Sequence, residues 1–374
     1  MARVRLKPKE DRRLLRGHLW AYRNELDELS GVENGAVTDV FSDSGRFVGR
    51  GFYQAQGGIA VRLLSRHQAE IDGAFLARRV LDAHEFRCRL FPHGSVYRWV
   101  FAESDGLPGF VADRYGPVVS AETACAFYAD YVEDLAAAFQ SIEGVAGVRV
   151  NVCGQVHRFG RVDERVICEI DGLKFGVDVD GGQKTGMFLD QRVNSALIAP
   201  FAEGARVFDG HCYMGMWSCR AARAGAREVL GVDSSEHAVE LARANAELNG
   251  YSDVCQFERG DVEAVLRRGQ HYDVVLLDPP ALAKTRAQAH KAAGLYQALN
   301  KTAMEAVVPG GILITSTCSH FMAGEAFLEV LKRAANSARR QALVLDVRGA
   351  APDHPVLMSM PETGYLTCVA LRLM

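Results

Sequence analysis

From Ala205 onward, short apolar runs alternate with segments of helical spacing, and this alternation most restricts what the chain can become. Arg206–Asp209, Glu228–Asp233, Val254–Arg259, Tyr272–Leu277 and Gly311–Ser316 read as strands with few polar positions. A strand that is apolar on both faces must be covered on both, which helices returning between parallel strands achieve. Two further candidates, Ala342–Val347 and Tyr365–Leu373, come late and close together, as an antiparallel pair at a sheet edge would. The expected fold class is α/β, with a Rossmann-like parallel sheet wrapped by helices.

The preceding residues are less regular. Ala36–Phe41, Phe47–Tyr53 and Ile59–Leu64 are short strands broken by Ser-Asp-Ser-Gly and Gly-Gly, the pattern of a small β barrel. A helix over 71–90, strands at Tyr97–Ala102, Gly109–Val111 and Val118–Ala121, and a helix over 128–140 predict a mixed α+β region. With 374 residues available, we expect three domains: a β-rich unit over 1–70, an α+β middle domain over 71–195 and the parallel sheet over 196–374.

Composition closes off other classes. Hydrophobic residues are 48% and charged residues 24% of the chain, which excludes disordered, collagen-like and coiled-coil folds. No run approaches the roughly 20 apolar residues of a membrane span, and the basic N-terminus lacks a signal peptide's apolar stretch. A cytoplasmic protein without a membrane partner is expected. The nine cysteines are scattered and never spaced C-x-x-C, so neither a disulfide scaffold nor a metal site is expected. Charge is uneven: +3 over residues 1–70 against −6 over the rest. Arg3, Arg5, Lys7, Arg12, Arg13 and Arg16 make a basic N-terminal face that suits an anionic partner, nucleic acid first.

Ligands bind at the carboxyl ends of parallel strands. The first strand runs through Asp209-Gly-His-Cys-Tyr-Met-Gly215-Met-Trp into a helix. Asp233 closes the second strand, 24 residues after Asp209, where an acid accepts hydrogen bonds from ribose hydroxyls, and Asp261 ends the third, where an adenine edge can lie. Each alone reads more readily as a helix N-cap than as a ligand; the three in register shift that balance towards a nucleoside. G-x-G-x-x-G is absent, which disfavours a pyrophosphate. S-adenosylmethionine has none, and its hydroxyls and sulfonium suit carboxylates. The outline is that of a class I methyltransferase sheet more than of a dehydrogenase.

The fourth and fifth strands end in Asp278-Pro-Pro and Thr317-Cys318-Ser-His320. Asp278 can accept a hydrogen bond from the amino group or ring nitrogen of a base. Cys318 is the cysteine placed at a strand end among Ser, Thr and His, where a thiolate can form. Carbon 5 of a pyrimidine is a poor nucleophile until something adds to carbon 6, and a thiolate does this well. In unpaired RNA the bases would stack on aromatics such as Phe188 or Tyr213.

Gly17-His-Leu-Trp20-Ala-Tyr22, Gly49-Arg-Gly51-Phe-Tyr53, Glu103-Ser-Asp-Gly-Leu-Pro-Gly109, the stretch 182–192 around Lys184-Thr185-Gly186, Asp278-Pro-Pro, Ser316-Thr-Cys318-Ser319 and Asp353-His-Pro-Val356 occur in that order. In them the chain resembles, over nearly its whole length, the bacterial large-subunit ribosomal RNA cytosine-5 methyltransferases that carry an N-terminal PUA domain. The resemblance implies that Cys318 is the nucleophile and Asp278 orients the cytosine. It places S-adenosylmethionine against His211, Gly215, Asp233 and Asp261, and also Asp190 by analogy with related carbon-5 RNA methyltransferases. It adds Lys184 and Phe188 to the basic face as RNA contacts, names large-subunit ribosomal RNA or its assembly particle as partner, and implies a homodimer. The family loop usually reads Asp-x-Phe-Cys-Tyr-Thr-Gly-Gly-Phe; here His211, Met214, Met216 and Trp217 depart from it, and bulk at Met216 would crowd the cofactor's methionine end unless packing compensates.

Two other readings stay open. Asp-Pro-Pro also holds exocyclic amines in guanine N-methyltransferases, which need no nucleophile. The bulky loop at Met216 would suit a catalytically silent RNA-binding assembly factor. A nicotinamide oxidoreductase lacks its glycine fingerprint here.

Overall fold

A computed structural model describes residues 2–27, 31–181, 185–282, 288–322 and 324–374, with only the backbone of His320. Its contacts divide the chain into two units: Met1–Cys168 with Val177–Met187 and Pro352–Thr363, and Glu169–Gly176 with Phe188–Ala351 and Gly364–Met374. No helix among the described residues is long and apolar enough to cross a membrane.

In the first unit, β1 (Ala2–Arg5), β2 (Trp20–Tyr22), β3 (Val37–Phe41), β4 (Phe47–Tyr53) and β5 (Ile59–Ser65) form a sheet of order β1-β3-β4-β5-β2, with the short helix α1 (Asp11–Leu15) between β1 and β2. Val4, Leu6, Leu14, Val40, Val61 and Leu63 share its core. Glycine is needed at Gly51, where an added Cβ would lie 1.9 Å from the carbonyl oxygen of Arg62 on β5. A second sheet, β6 (Val96–Phe101), β7 (Phe110–Tyr115), β8 (Val118–Thr123), β9 (Gly147–Val152) and β10 (Gln155–Gly160), runs in the order β10-β9-β8-β7-β6. Helices α2 (Gly73–Leu90) and α3 (Val132–Gln140) share its core through Leu76, Val80, Leu135 and Phe139. Asp72 caps α2 by accepting from the Phe75 amide at 2.8 Å.

Within this unit Glu103 accepts from Trp20 Nε1 at 2.8 Å and from Arg62 Nη1 at 2.6 Å, while Phe127 stacks on Phe52 at 4.5 Å. Asp105 takes both terminal nitrogens of the fully buried Arg87. Glu103 thus ties the two sheets together, and Asp105 ties α2 to the turn after β6. A second buried pair, Arg98 with Asp113, closes at 2.6 and 3.0 Å, and Thr185 donates to the same carboxylate. Asp353 accepts from the Arg98 amide at 2.9 Å and from His354 Nδ1 at 2.8 Å.

β11 (Arg165–Ile170) and β12 (Leu173–Asp178) pair on their own. The second unit is then built on β13 (Arg206–Gly210), β14 (Glu228–Asp233), β15 (Cys255–Arg259), β16 (Tyr272–Leu277), β17 (Val307–Thr317), β18 (Ala342–Arg348) and β19 (Thr367–Leu373), in the order β15-β14-β13-β16-β17-β19-β18. β15 to β17 are parallel across β14, β13 and β16, and β19 is antiparallel to both β17 and β18. Between them lie α4 (Ala199–Ala202), α5 (Met216–Arg223), α6 (Glu236–Leu248), α7 (Val262–Leu266), α8 (Ala289–Ala306) and α9 (Glu325–Ser337). Phe208, Val275, Leu313 and Val369 of the sheet meet Tyr296 and Phe327 of the helices in one buried cluster. The α/β class and the late antiparallel pair are as the apolar pattern implied. The fifth parallel strand begins at Val307 rather than Gly311, and the last strand at Thr367 rather than Tyr365.

Arg98→Met strands the Asp113 carboxylate, which has no solvent exposure. Urea denaturation should show a loss of about 3–5 kcal/mol; Arg98→Met with Asp113→Leu should recover much of it, and equal losses in both variants would deny the pair its role.

Candidate active site

The parallel strands deliver the expected acids to one edge of the sheet. Asp209 and Gly210 end β13, Asp233 ends β14, Asp278 follows β16 and Cys318 follows β17. Leu277 pairs with Thr315 across β16 and β17, so Asp278 and Cys318 leave adjacent strands on the same side. Cys318 is partly exposed, and its Sγ lies 3.8 Å from the carbonyl oxygen of Pro279, the residue after Asp278. Tyr296, buried beneath this turn on α8, accepts from Thr317 Oγ1 at 3.0 Å; burial pushes its phenol up, so it stays neutral.

Burial separates this cysteine from others on the same sheet. Cys255 and Cys368 are pushed up to about 12 by burial, and Cys212 and Cys219 are also driven upward, so all four remain thiols.

The loop after β13 is held in an uncommon conformation. His211, Tyr213 and Gly215 have φ of 63°, 46° and 78°. Two of these are not glycine, and such strain persists only when the surroundings over-determine it. Here the amides of His211 and Cys212 donate to the carbonyl of Val232 at 2.8 and 3.1 Å, and the Tyr213 amide donates to Asp233 Oδ2 at 3.0 Å. Gly215 begins α5, where a Cβ would press on Ala242 of α6 at 3.1 Å. Met216 is buried, and its sulfur accepts from Ser195 Oγ at 3.3 Å, so its bulk is taken up by packing.

Electrostatics concentrate on the same edge. Asp209 is pushed up to about 7, first by burial; Ser218 opposes this by donating to Oδ2 at 2.6 Å, and Asp278 and Asp233 add like charge. Its Oδ1 is buried without a hydrogen-bond partner. Burial pushes the His211 imidazole down, against the pull of Asp233 and Asp261. Asp261 lies beyond the end of β15 rather than on it, and caps α7 by accepting from the Ala264 amide at 2.8 Å.

Asp190 is buried, and Tyr365 donates to its Oδ2. Its neighbour Gln191 donates to Asp278 Oδ1 at 2.7 Å and accepts from Asn194 at 2.8 Å. Sequence reasoning did not single out Gln191 or Asn194; their three-residue spacing on a helical turn was the available signal. Phe188 and Tyr213 meet edge to face with centroids 5.2 Å apart. On the N-terminal face Arg3, Arg5, Lys7, Arg12 and Arg16 are exposed, whereas Arg13 is engaged by Glu25 at 2.8 and 2.9 Å. Lys184 lies outside the described residues.

Residues 160–355 match the S-adenosylmethionine-dependent methyltransferase family, and residues 4–66 match the PUA-like domain family. A protein named ribosomal RNA large subunit methyltransferase I, from Shewanella denitrificans, is 35% identical over 99% of each chain. The chain belongs to the S-adenosylmethionine-dependent methyltransferases. Its fold is shared with a Streptococcus mutans protein assigned as such a methyltransferase, at 20% identity and a TM-score of 0.87, and with a methyltransferase complexed with SAH, at 21% and 0.88; each pair matches over 100% of both chains. S-adenosylmethionine is the cofactor. The donor set fits it: a carboxylate at the end of β14 fixed by the Tyr213 and Ser235 amides, an acidic edge for a cation, and an unpartnered carboxylate oxygen on Asp209.

Asp209 keeps its proton up to about pH 7, while an unfolded chain releases it near 3.8. Between those values the folded state binds the extra proton, so this group's contribution to stability falls as pH rises, by at most about 1.4 kcal/mol per unit, and levels off above 7. Asp209→Asn removes that slope. Urea denaturation of the cofactor-free protein across this range should show the variant gaining on the wild type as pH increases; parallel curves would deny Asp209 its raised value.

Proposed function

We propose that this protein is a cytoplasmic enzyme that methylates carbon 5 of a cytosine in large-subunit ribosomal RNA, with Cys318 as nucleophile. The observation that carries the reading is the partly exposed Cys318 thiol, 3.8 Å from the carbonyl oxygen of Pro279, the residue after Asp278. Relatives named for the large ribosomal subunit and the PUA-like match support the RNA substrate. Asp190, His211, Gly215, Asp233 and Asp261 would hold the cofactor, which supplies an electrophilic methyl group when bound. Cys318 adds to carbon 6 and makes carbon 5 nucleophilic. Asp278 accepts from the base amino group and fixes the ring. After methylation a base removes the carbon 5 proton, and the thiolate leaves as the ring regains its double bond.

Residues 1–70 act in this reading as the RNA-docking domain, 71–195 as the middle domain and 196–374 as the catalytic domain. Phe188 and Lys184 would contact RNA. A homodimer belongs to the same reading; Leu343, Val344, Leu345 and Val347 on the edge strand β18 are exposed apolar side chains of the kind an interface covers.

Cys318→Ala should lower methylation of large-subunit RNA about 10³-fold or more, and the wild type should form a covalent adduct with RNA containing 5-fluorocytosine. Undiminished turnover by the variant would favour guanine N-methylation instead, since that chemistry needs no thiol.

Charge reversal at Arg3, Arg5 and Arg12 should weaken RNA binding and flatten its log–log salt dependence by about 0.7 for each single-strand phosphate left without its cation. Arg13→Ala should act on stability, because its guanidinium is already engaged by Glu25. Slopes equal to the wild type's would assign the face to solvent.

A further inference from the structure

The amide chain behind Asp278 has a polarity that can be read atom by atom. Asn194 Nδ2 donates to the carbonyl oxygen of Gly349 at 2.9 Å and to Gln191 Oε1 at 2.8 Å, and Gln191 Nε2 donates to Asp278 Oδ1 at 2.7 Å. A backbone carbonyl only accepts, so Gly349 dictates which end of Asn194 is nitrogen, and Asn194 dictates the same for Gln191. The donor end of Gln191 is thereby committed to the carboxylate. Both amides are almost wholly buried, at 3% and 1% exposure, so turning either one over would leave polar atoms unpaired away from water. An N–H donated to a carboxylate favours its ionised form and fixes its direction.

We propose that Gln191 is a positioning residue, locked in its donor orientation by Asn194, that keeps the Asp278 carboxylate ionised and aimed at the substrate base. The proposal rests on the role given to Asp278 above, and the test separates the two.

Gln191→Glu is nearly isosteric. While the introduced carboxyl is protonated, its hydroxyl donates to Asp278 and its other oxygen accepts from Asn194, which reproduces the amide pattern. Once ionised it has no proton to donate and sets a like charge against Asp278, so the apparent pKa of the pair rises above the ordinary carboxylate range. Methyl transfer from labelled S-adenosylmethionine to large-subunit ribosomal RNA is followed from about pH 5 to about pH 9 for the wild type, Gln191→Glu and Gln191→Leu. The ratio of Gln191→Glu to wild-type kcat should fall about tenfold or more with rising pH, and Gln191→Leu should stay about 10–100-fold below wild type throughout. Calorimetric affinity of both variants for S-adenosylmethionine should remain within about threefold of the wild type.

A flat Gln191→Glu ratio, a fully active Gln191→Leu, or a matching loss of cofactor affinity each overturns the proposal. Thermal unfolding reports whether each variant folds; should Gln191→Leu fail to fold, the Gln191→Glu series decides alone. Cys318→Ala, assayed alongside, tests the cytosine reading separately: its full activity would sink that reading and leave the Gln191 ratios still interpretable.

Discussion

Parallel strands covered by helices on both faces can present chemistry only where they end. That constraint organises the second unit. The pairing of Leu277 with Thr315 brings Asp278 and Cys318 to the ends of adjacent strands, and the pairing of Gly210 with Val232 sets the strained loop at the end of β14. Phe208, Val275 and Leu313 beneath these ends fill the core, so the strands cannot slide without unpacking it. Each functional group on this edge inherits its place from apolar residues a few positions earlier in its own strand.

Burial then sorts chemically similar groups into different states. Buried cysteines of the sheet keep their protons and behave as small apolar side chains, while Cys318 is partly exposed. The acids divide in the same way. Asp209 is enclosed and close to neutral, Asp261 is exposed and caps a helix, and Asp233 is gripped by two backbone amides. The carboxylates on this edge thus differ in exposure and in hydrogen-bond partners rather than forming a uniform negative patch.

The parallel core was legible because Val275-Leu-Leu and its counterparts are apolar on both faces, a pattern few other structures satisfy. β10 was not: its burial alternates weakly, with Arg158 exposed and Phe159 only partly covered, so no apolar face announces a strand. β1 hid for a similar reason, since exposed Arg3 and Arg5 flank a single buried valine. Local pattern places Asp261 at a strand end, whereas the strand stops at Arg259 and the carboxylate turns to the Ala264 amide. The partners of Asp353 and Gln191 lie 255 and 87 residues away in the chain, a distance at which spacing carries no information.

Residues Pro352–Thr363, which connect β18 to β19, belong with the N-terminal unit, as do Val177–Met187. The Asp353 carboxylate is held there by Arg98 and its carbonyl by Arg87, and Glu362 is held by His18. No single cut in the gene frees one half from the other. Recombination that swaps whole modules would have to exchange several pieces at once, so proteins built this way are expected to diversify by point substitution and to pass their two units down together.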